Sequence, residues 1–190
     1  MNEELHSRVC PAELSGSLDN SFRRIFQNPV KILKPFIEKG MTVLDLGCGP
    51  GFFSIDISKM VTSSGKVISA DLQEKMLERI NRKITGTDSE KIIELHKCET
   101  DKVGVTEKVD FVLAFWMIHE VPDKQKLFIE LKSILKSAAK ILIVEPKFHV
   151  KKDEFENMIK ILEKTGFEII GRPGVSISRA VLLSVRSFAG

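Results

Sequence analysis

The chain has 190 residues, 43% of them apolar and 29% charged, which fits one globular domain able to bury its own core without metal or disulfide support. Its 29 basic and 26 acidic residues leave a net charge of +3 spread along the chain, without the concentrated basic face of a nucleic-acid footprint. No apolar run reaches the roughly 20 residues of a membrane span, and the start, MNEELHSRVCPAE, has no apolar stretch of the kind a secretory signal needs.

A cytoplasmic location is the expectation, and reduced thiols fit it. Cys10, Cys48 and Cys98 are an odd number with no CxxC pair. Neither a disulfide framework nor a zinc site is indicated.

In chain order, SLDNSFRRIF places Phe22, Ile25 and Phe26 at helical spacing, with Asp19 or Ser21 able to cap. Asn28-Pro29 ends that segment, and Pro29 can open a second helix carrying Val30, Leu33, Phe36 and Ile37. Gly40 stops it. Strand-like and helical stretches then alternate: TVLDLG strand, GFFSIDISKM helix, KVISAD strand, QEKMLERINRK helix, KIIELHKC strand, VDFVLAF strand, DKQKLFIELKSILK helix, AKILIVEP strand, DEFENMIKILEKTG helix. FEIIG and RAVLLSVR follow with no room for a helix between them and are expected to pair antiparallel.

Strands separated by helices of about 10–15 residues predict an α/β fold with a doubly wound, mostly parallel sheet. VISA, FVLAF and ILIV are continuous apolar runs, as expected of strands covered on both faces. The expected organisation is one domain over 1–190: a helical N-terminal cap over 1–40 and a sheet core over 41–190.

Residues 43–51 read VLDLGCGPG. In a doubly wound sheet, ligands bind beyond the carboxyl ends of the strands, where strand order reverses. Val43–Leu46 would deliver the glycines to that edge. Gly47 permits a tight turn, Gly49 removes a side chain where a ligand could approach, and Gly51 lets the next helix lie close to the strand. Asp71 ends the second strand, twenty positions after Gly51, where a carboxylate can accept both hydroxyl hydrogens of a ribose. Glycines and carboxylate together indicate an adenosine-containing ligand. Dinucleotide folds use GxGxxG, whereas this stretch is GxGxG preceded by Asp45, and there is no GxxxxGK[ST] stretch for a nucleoside triphosphate.

At this point the sequence resembles the class I S-adenosylmethionine-dependent methyltransferases, whose first motif is similar to VLDLGCGPG. The resemblance spans about residues 41 to 186 and implies a Rossmann-like, seven-stranded sheet with its last strand antiparallel. It implies S-adenosyl-L-methionine as cofactor, leaving as S-adenosyl-L-homocysteine. By the same resemblance Asp45, Gly47, Cys48, Gly49, Gly51 and Phe52 run beside its methionine part, and Asp71 with Leu72 holds the ribose. Glu99, with Thr100 beside it, meets the adenine, Asp101 being the alternative. AFWMIHEVPD resembles the fourth motif, in which backbone near Ala114 and Phe115 faces the cofactor.

For the acceptor, the stretch Ala114-Phe115-Trp116-Met117 lacks the Asn/Asp-Pro-Pro-aromatic pattern of enzymes that methylate base or glutamine amino groups. Phe115, Trp116 and Met117 either line an apolar pocket or pack the core. His119 or His149 would supply a general base if one is needed, because an imidazole exchanges protons near neutral pH. Glu145 lies on the same edge, and a lid could bring Cys10 over the cofactor. The expectation is methyl transfer to a small-molecule acceptor, mainly by proximity and orientation, with no nucleic-acid partner. Two alternatives stay open: a non-catalytic cofactor-binding module, and an RNA or protein methyltransferase with a partner subunit.

Overall fold

The computed structural model describes residues 23–186. Two short helices come first, α1 (Arg23–Phe26) and α2 (Pro29–Leu33). The Asn28 side chain caps α2 by accepting from the Lys31 amide at 3.1 Å, with Pro29 in the first turn where its missing N–H costs nothing. The order continues β1 (Thr42–Leu46), α3 (Ser54–Val61), β2 (Lys66–Asp71), α4 (Glu74–Ile84), β3 (Ile93–Lys97), β4 (Val109–Phe115) and α5 (Lys124–Ile134). It ends with β5 (Leu135–Pro146), α6 (Lys152–Lys164), β6 (Phe167–Gly171) and β7 (Ser178–Val185).

These strands form one seven-stranded sheet in the order β3-β2-β1-β4-β5-β7-β6. β1 runs parallel to both β2 and β4, whereas β7 pairs antiparallel with β5 and β6. The chain thus leaves β1 toward one side of the sheet and later returns to its other side. That reversal opens a crevice beyond the carboxyl ends of β1 and β4.

Alternation along the strands sorts the core into two layers. Val112 and Ala114 of β4 pack with Phe128 and Leu131 of α5 and Phe155 and Leu162 of α6. Phe111, Leu113 and Phe115 pack with Leu33, Ile57 and Val61, and with Leu77 and Ile80 of α4. α5 shows why such a segment becomes a helix here: Leu127, Phe128, Leu131 and Ile134 are buried along one stripe, and the Asp123 side chain accepts from the Lys126 amide at 2.9 Å. Fully burying each such side chain contributes about 1.5–3 kcal/mol.

The structure corrects several sequence expectations. The α5 pattern extends to Lys136, but the helix ends at Ile134 and β5 begins at Leu135, because Leu135 pairs with Val109 of β4 before the register shifts to Phe111 against Lys140. α3 begins at Ser54, not at the glycine turn, since Gly51 has φ +86° and cannot continue a right-handed helix. Ile25 and Phe26 do lie in a helix, α1, where they are 71% and 50% exposed. Phe22, Asp19, Ser21 and the rest of the expected cap before Arg23 lie outside the described residues.

Candidate active site

Beyond β1 and β4 lies a cavity of about 740 Å³, within the size range of small-molecule sites. Its floor is the turn after β1. The Gly47 and Cys48 amides both donate to the Ala70 carbonyl, at 2.8 and 3.1 Å, folding the turn back over β2. The three glycines, all at positive φ, divide the work. A Cβ on Gly47 would sit 2.8 Å from Met117 Cβ, and one on Gly51 would sit 2.9 Å from Ile80 Cγ1, so both allow close packing. A Cβ on Gly49 would meet nothing within 4 Å. Gly49 therefore opens the backbone toward the cavity.

Asp71 stands on the same wall. One carboxylate oxygen accepts the Gly49 amide at 2.9 Å and the other accepts the Gln73 amide at 2.8 Å. Burial raises its pKa, against the lowering pull of those amides and of Lys97. Each oxygen still has a lone pair for a ligand hydroxyl.

Asp45 lies beneath the turn, 2% exposed, and accepts from Ser54 Oγ at 2.5 Å. Burial pushes its pKa up to about 7; the Ser54 hydrogen bond and the Arg23 charge oppose this, while the Asp71 charge adds to it. Burial likewise pushes the Cys98 thiol up to about 12 and the Cys48 thiol well above its usual range. Both thiols are free and buried, and both are protonated at neutral pH, which makes them poor nucleophiles.

Toward β3, the cavity is bounded by Leu72, Cys98, Glu99, Thr100 and Asp101. Glu99 and Lys102 close that loop through a 2.9 Å amide-to-carbonyl bond. Asp101 is engaged by Lys126 at 2.6 Å, which leaves Glu99 as the carboxylate better suited to an incoming amino group.

The opposite wall is aromatic. Phe53 and Phe115 have ring centroids 4.4 Å apart, Phe115 and Trp116 5.6 Å, and Trp116 and Phe148 5.4 Å in an edge-on contact. The Arg23 guanidinium lies 4.3 Å from the Phe52 centroid and 5.1 Å from that of Trp116, within cation–π range. Trp116 takes φ +61°, a costly conformation for a bulky residue. It is held there by its amide donating to the Val144 carbonyl at 2.7 Å and its indole N–H donating to Ser178 Oγ at 3.0 Å.

At the far end, His119 Nδ1 lies 2.5 Å from Glu145 Oε2, and Glu145 Oε1 accepts the Ile118 amide at 2.8 Å. Glu145 is 1% exposed and sits behind the wall. His149 shares the cavity, its ring centroid 4.7 Å from that of His119.

Of the residues singled out from sequence, Asp45, Gly47, Cys48, Gly49, Phe52, Asp71, Leu72, Glu99, Thr100, Phe115, His119 and His149 all reach this cavity. Ala114 does not: alternation along β4 turns it to the opposite layer, where it is wholly buried. Gly51 serves helix packing against Ile80. Cys10 lies outside the described residues. Sequence reading missed Arg23, Ser54 and Ser178 as partners of this site: Arg23 and Ser178 act on residues distant along the chain, and Ser54, though only nine positions from Asp45, carries no pattern that marks it as its partner.

A methyltransferase domain family matches residues 37–176. The chain belongs to that family. A solved S-adenosylmethionine-dependent methyltransferase from Aquifex aeolicus is similar with a TM-score of 0.82 and 30% identity, covering 92% of this chain and 98% of its own. Among curated relatives, the demethylmenaquinone methyltransferase of Lactobacillus johnsonii is 30% identical over 149 residues, 75% of this chain and 59% of its own length. The ubiquinone/menaquinone biosynthesis C-methyltransferase UbiE of Cronobacter sakazakii is 25% identical over 144 residues, 75% of this chain and 56% of its own. The chain thus spans somewhat more than half the length of these curated relatives. As a class I methyltransferase with this sheet order, its cofactor is S-adenosylmethionine, and the open Gly49 backbone beside buried Asp71 suits that ligand.

Proposed function

We propose that this methyltransferase transfers a methyl group from S-adenosylmethionine to a small, planar, largely apolar acceptor. The observation that carries this reading is that the glycine turn and the aromatic wall of Phe115, Trp116 and Phe148 bound a single cavity of about 740 Å³. Gly47 to Gly49 and Asp45 would receive the amino-acid part of the cofactor, Asp71 its ribose and Glu99 its adenine. Trp116 and Phe148 would then hold a flat acceptor against the transferable methyl group.

The bound cofactor supplies an activated methyl carbon on a sulfonium. What the chain must add is alignment and exclusion of water, which convert a bimolecular step into an intramolecular one. The acceptor preference is supported by the wall's chemistry and by the names of the two curated relatives, one a demethylmenaquinone methyltransferase and the other a ubiquinone/menaquinone biosynthesis C-methyltransferase.

Two measurements test this. Calorimetric titration with S-adenosylmethionine and separately with NAD should give micromolar binding of the first and none of the second. Transfer of labelled methyl from the cofactor should then favour hydroxylated aromatic compounds over peptides or RNA. Binding without transfer to any acceptor would leave a cofactor-binding module and reject the enzyme reading.

A further inference from the structure

Among the cavity residues, His119 has the surroundings of a general base. Its Nδ1 faces the Glu145 carboxylate at 2.5 Å. An anionic acceptor there requires the proton on Nδ1, so the neutral ring carries its lone pair on Nε2. Glu145 cannot turn away, because its second oxygen holds the Ile118 amide at 2.8 Å and its side chain, on β5, is buried. The imidazole thus has a fixed tautomer, a partner for the charge it acquires on protonation, and a place on the cavity wall. A histidine that merely capped the short turn at Ile118–Glu120 would need no buried carboxylate behind it.

We propose that His119 is a catalytic general base oriented by Glu145, and that the acceptor is a phenol or comparable hydroxyl compound that must lose a proton before its methylation. This deepens the methyl-transfer reading above and rests on it. Thiolates, and amines already neutral, would need no such base; a phenol would.

The acceptor hydroxyl gives its proton to His119 Nε2. The anion, at oxygen or at the ring carbon ortho to it, forms a bond to the methyl carbon as the carbon–sulfur bond breaks and its electron pair stays on sulfur. A carbon acceptor also sheds its ring proton while the imidazolium returns its own to the oxygen. Either route releases one proton overall.

Electrostatics around the ring agree with this assignment. Burial opposes the charged imidazole, but the hydrogen bond and charge of Glu145, with the charge of Glu120, outweigh it; Lys124 acts in the opposite sense, and His149 packs against the ring. The net direction is a raised pKa, which improves the base.

The test uses 4-nitrophenol, whose phenolate is coloured, added to the full chain saturated with S-adenosylhomocysteine at a pH where the free probe is protonated. Calorimetric binding of S-adenosylhomocysteine on the same samples reports separately whether the cofactor reading stands. The wild type should bind the probe as phenolate, and folded His119→Asn should lose at least about tenfold of that coloured fraction. Glu145→Gln should lose it in part, because the imidazolium loses its counter-charge. Equal ionisation in wild type and folded His119→Asn overturns the proposal, as does failure of the wild type to bind the probe. Loss in His149→Asn with none in His119→Asn moves the base to His149 and overturns the assignment equally.

Discussion

The Asp71 carboxylate accepts the Gly49 amide at 2.9 Å, so the end of β2 holds the turn after β1 in the shape that leaves Gly49 open. Asp71→Ala should therefore do two things. It removes the acceptor placed for a ribose, weakening S-adenosylmethionine by more than about 1 kcal/mol, the scale of a hydrogen bond to a charged group. It also leaves the Gly49 and Gln73 amides without their partner, lowering the melting temperature by a few degrees at about 2–4 °C per kcal/mol for a chain of this size. Titration calorimetry and thermal melts read the two separately; unchanged affinity in a folded variant would remove Asp71 from the cofactor site.

The glycines of one turn predict opposite phenotypes. Gly51→Ala places a methyl group 2.9 Å from Ile80 Cγ1 at φ +86°, so α4 must move or the backbone must rearrange, at a cost of about 1–3 kcal/mol. Gly49→Ala meets nothing within 4 Å and should cost only about 1–2 kcal/mol for its left-handed backbone. Cofactor affinity should nevertheless fall much further in Gly49→Ala, because the new methyl group occupies the approach to the turn. Chemical denaturation with calorimetry on both variants checks this; equal affinity losses at equal stability would mean that the two glycines share one role.

Much of this site was legible because its parts are local in sequence. VLDLGCGPG is contiguous, Asp71 follows at a fixed distance, and the continuous apolar runs mark buried parallel strands. The antiparallel β6–β7 pair was legible because no helix fits between its strands. What was hidden depends on long-range contact. Ser178 holds Trp116 from 62 positions away and Glu145 orients His119 from 26, and neither relationship leaves a periodic trace. The fourth motif identifies the segment of Ala114 and Phe115, but only strand alternation decides which side chain reaches the cavity: that of Phe115 does, while that of Ala114 faces the other layer. Leu135 joined β5 through its register with Val109, a tertiary preference overriding a helical pattern.

Asp45 predicts a pH dependence whose sign follows from its raised pKa of about 7 against an ordinary 3.8. The folded state holds a proton there that the unfolded state releases at lower pH. The Asp45 contribution to stability is thus fully present below about pH 4 and lost as pH rises to about 7. Asp45→Asn mimics the neutral form and can still accept from Ser54 Oγ. It should melt at the same temperature as the wild type near pH 4 and progressively higher as pH rises, with a constant gap above about pH 7. Thermal melts of both proteins across that range decide it, since the other ionisable groups cancel in the difference; a gap independent of pH would show that Asp45 is ionised throughout.

Trp116 is the one tryptophan of the chain, which makes its fluorescence a report on the cavity wall alone. Its indole is half-buried between Phe115 and Phe148, with its N–H held by Ser178 Oγ at 3.0 Å. Ser178→Ala removes that acceptor, at about 1 kcal/mol for a neutral hydrogen bond, and frees the ring to leave its strained backbone arrangement. Emission from the folded variant should shift to longer wavelength as the indole meets water. Titration of the wild type with S-adenosylhomocysteine should change the emission along a saturable curve whose midpoint equals the calorimetric Kd, because the ligand and the indole share one cavity. An emission spectrum indifferent to saturating ligand would place Trp116 with the core and take the aromatic wall out of acceptor binding.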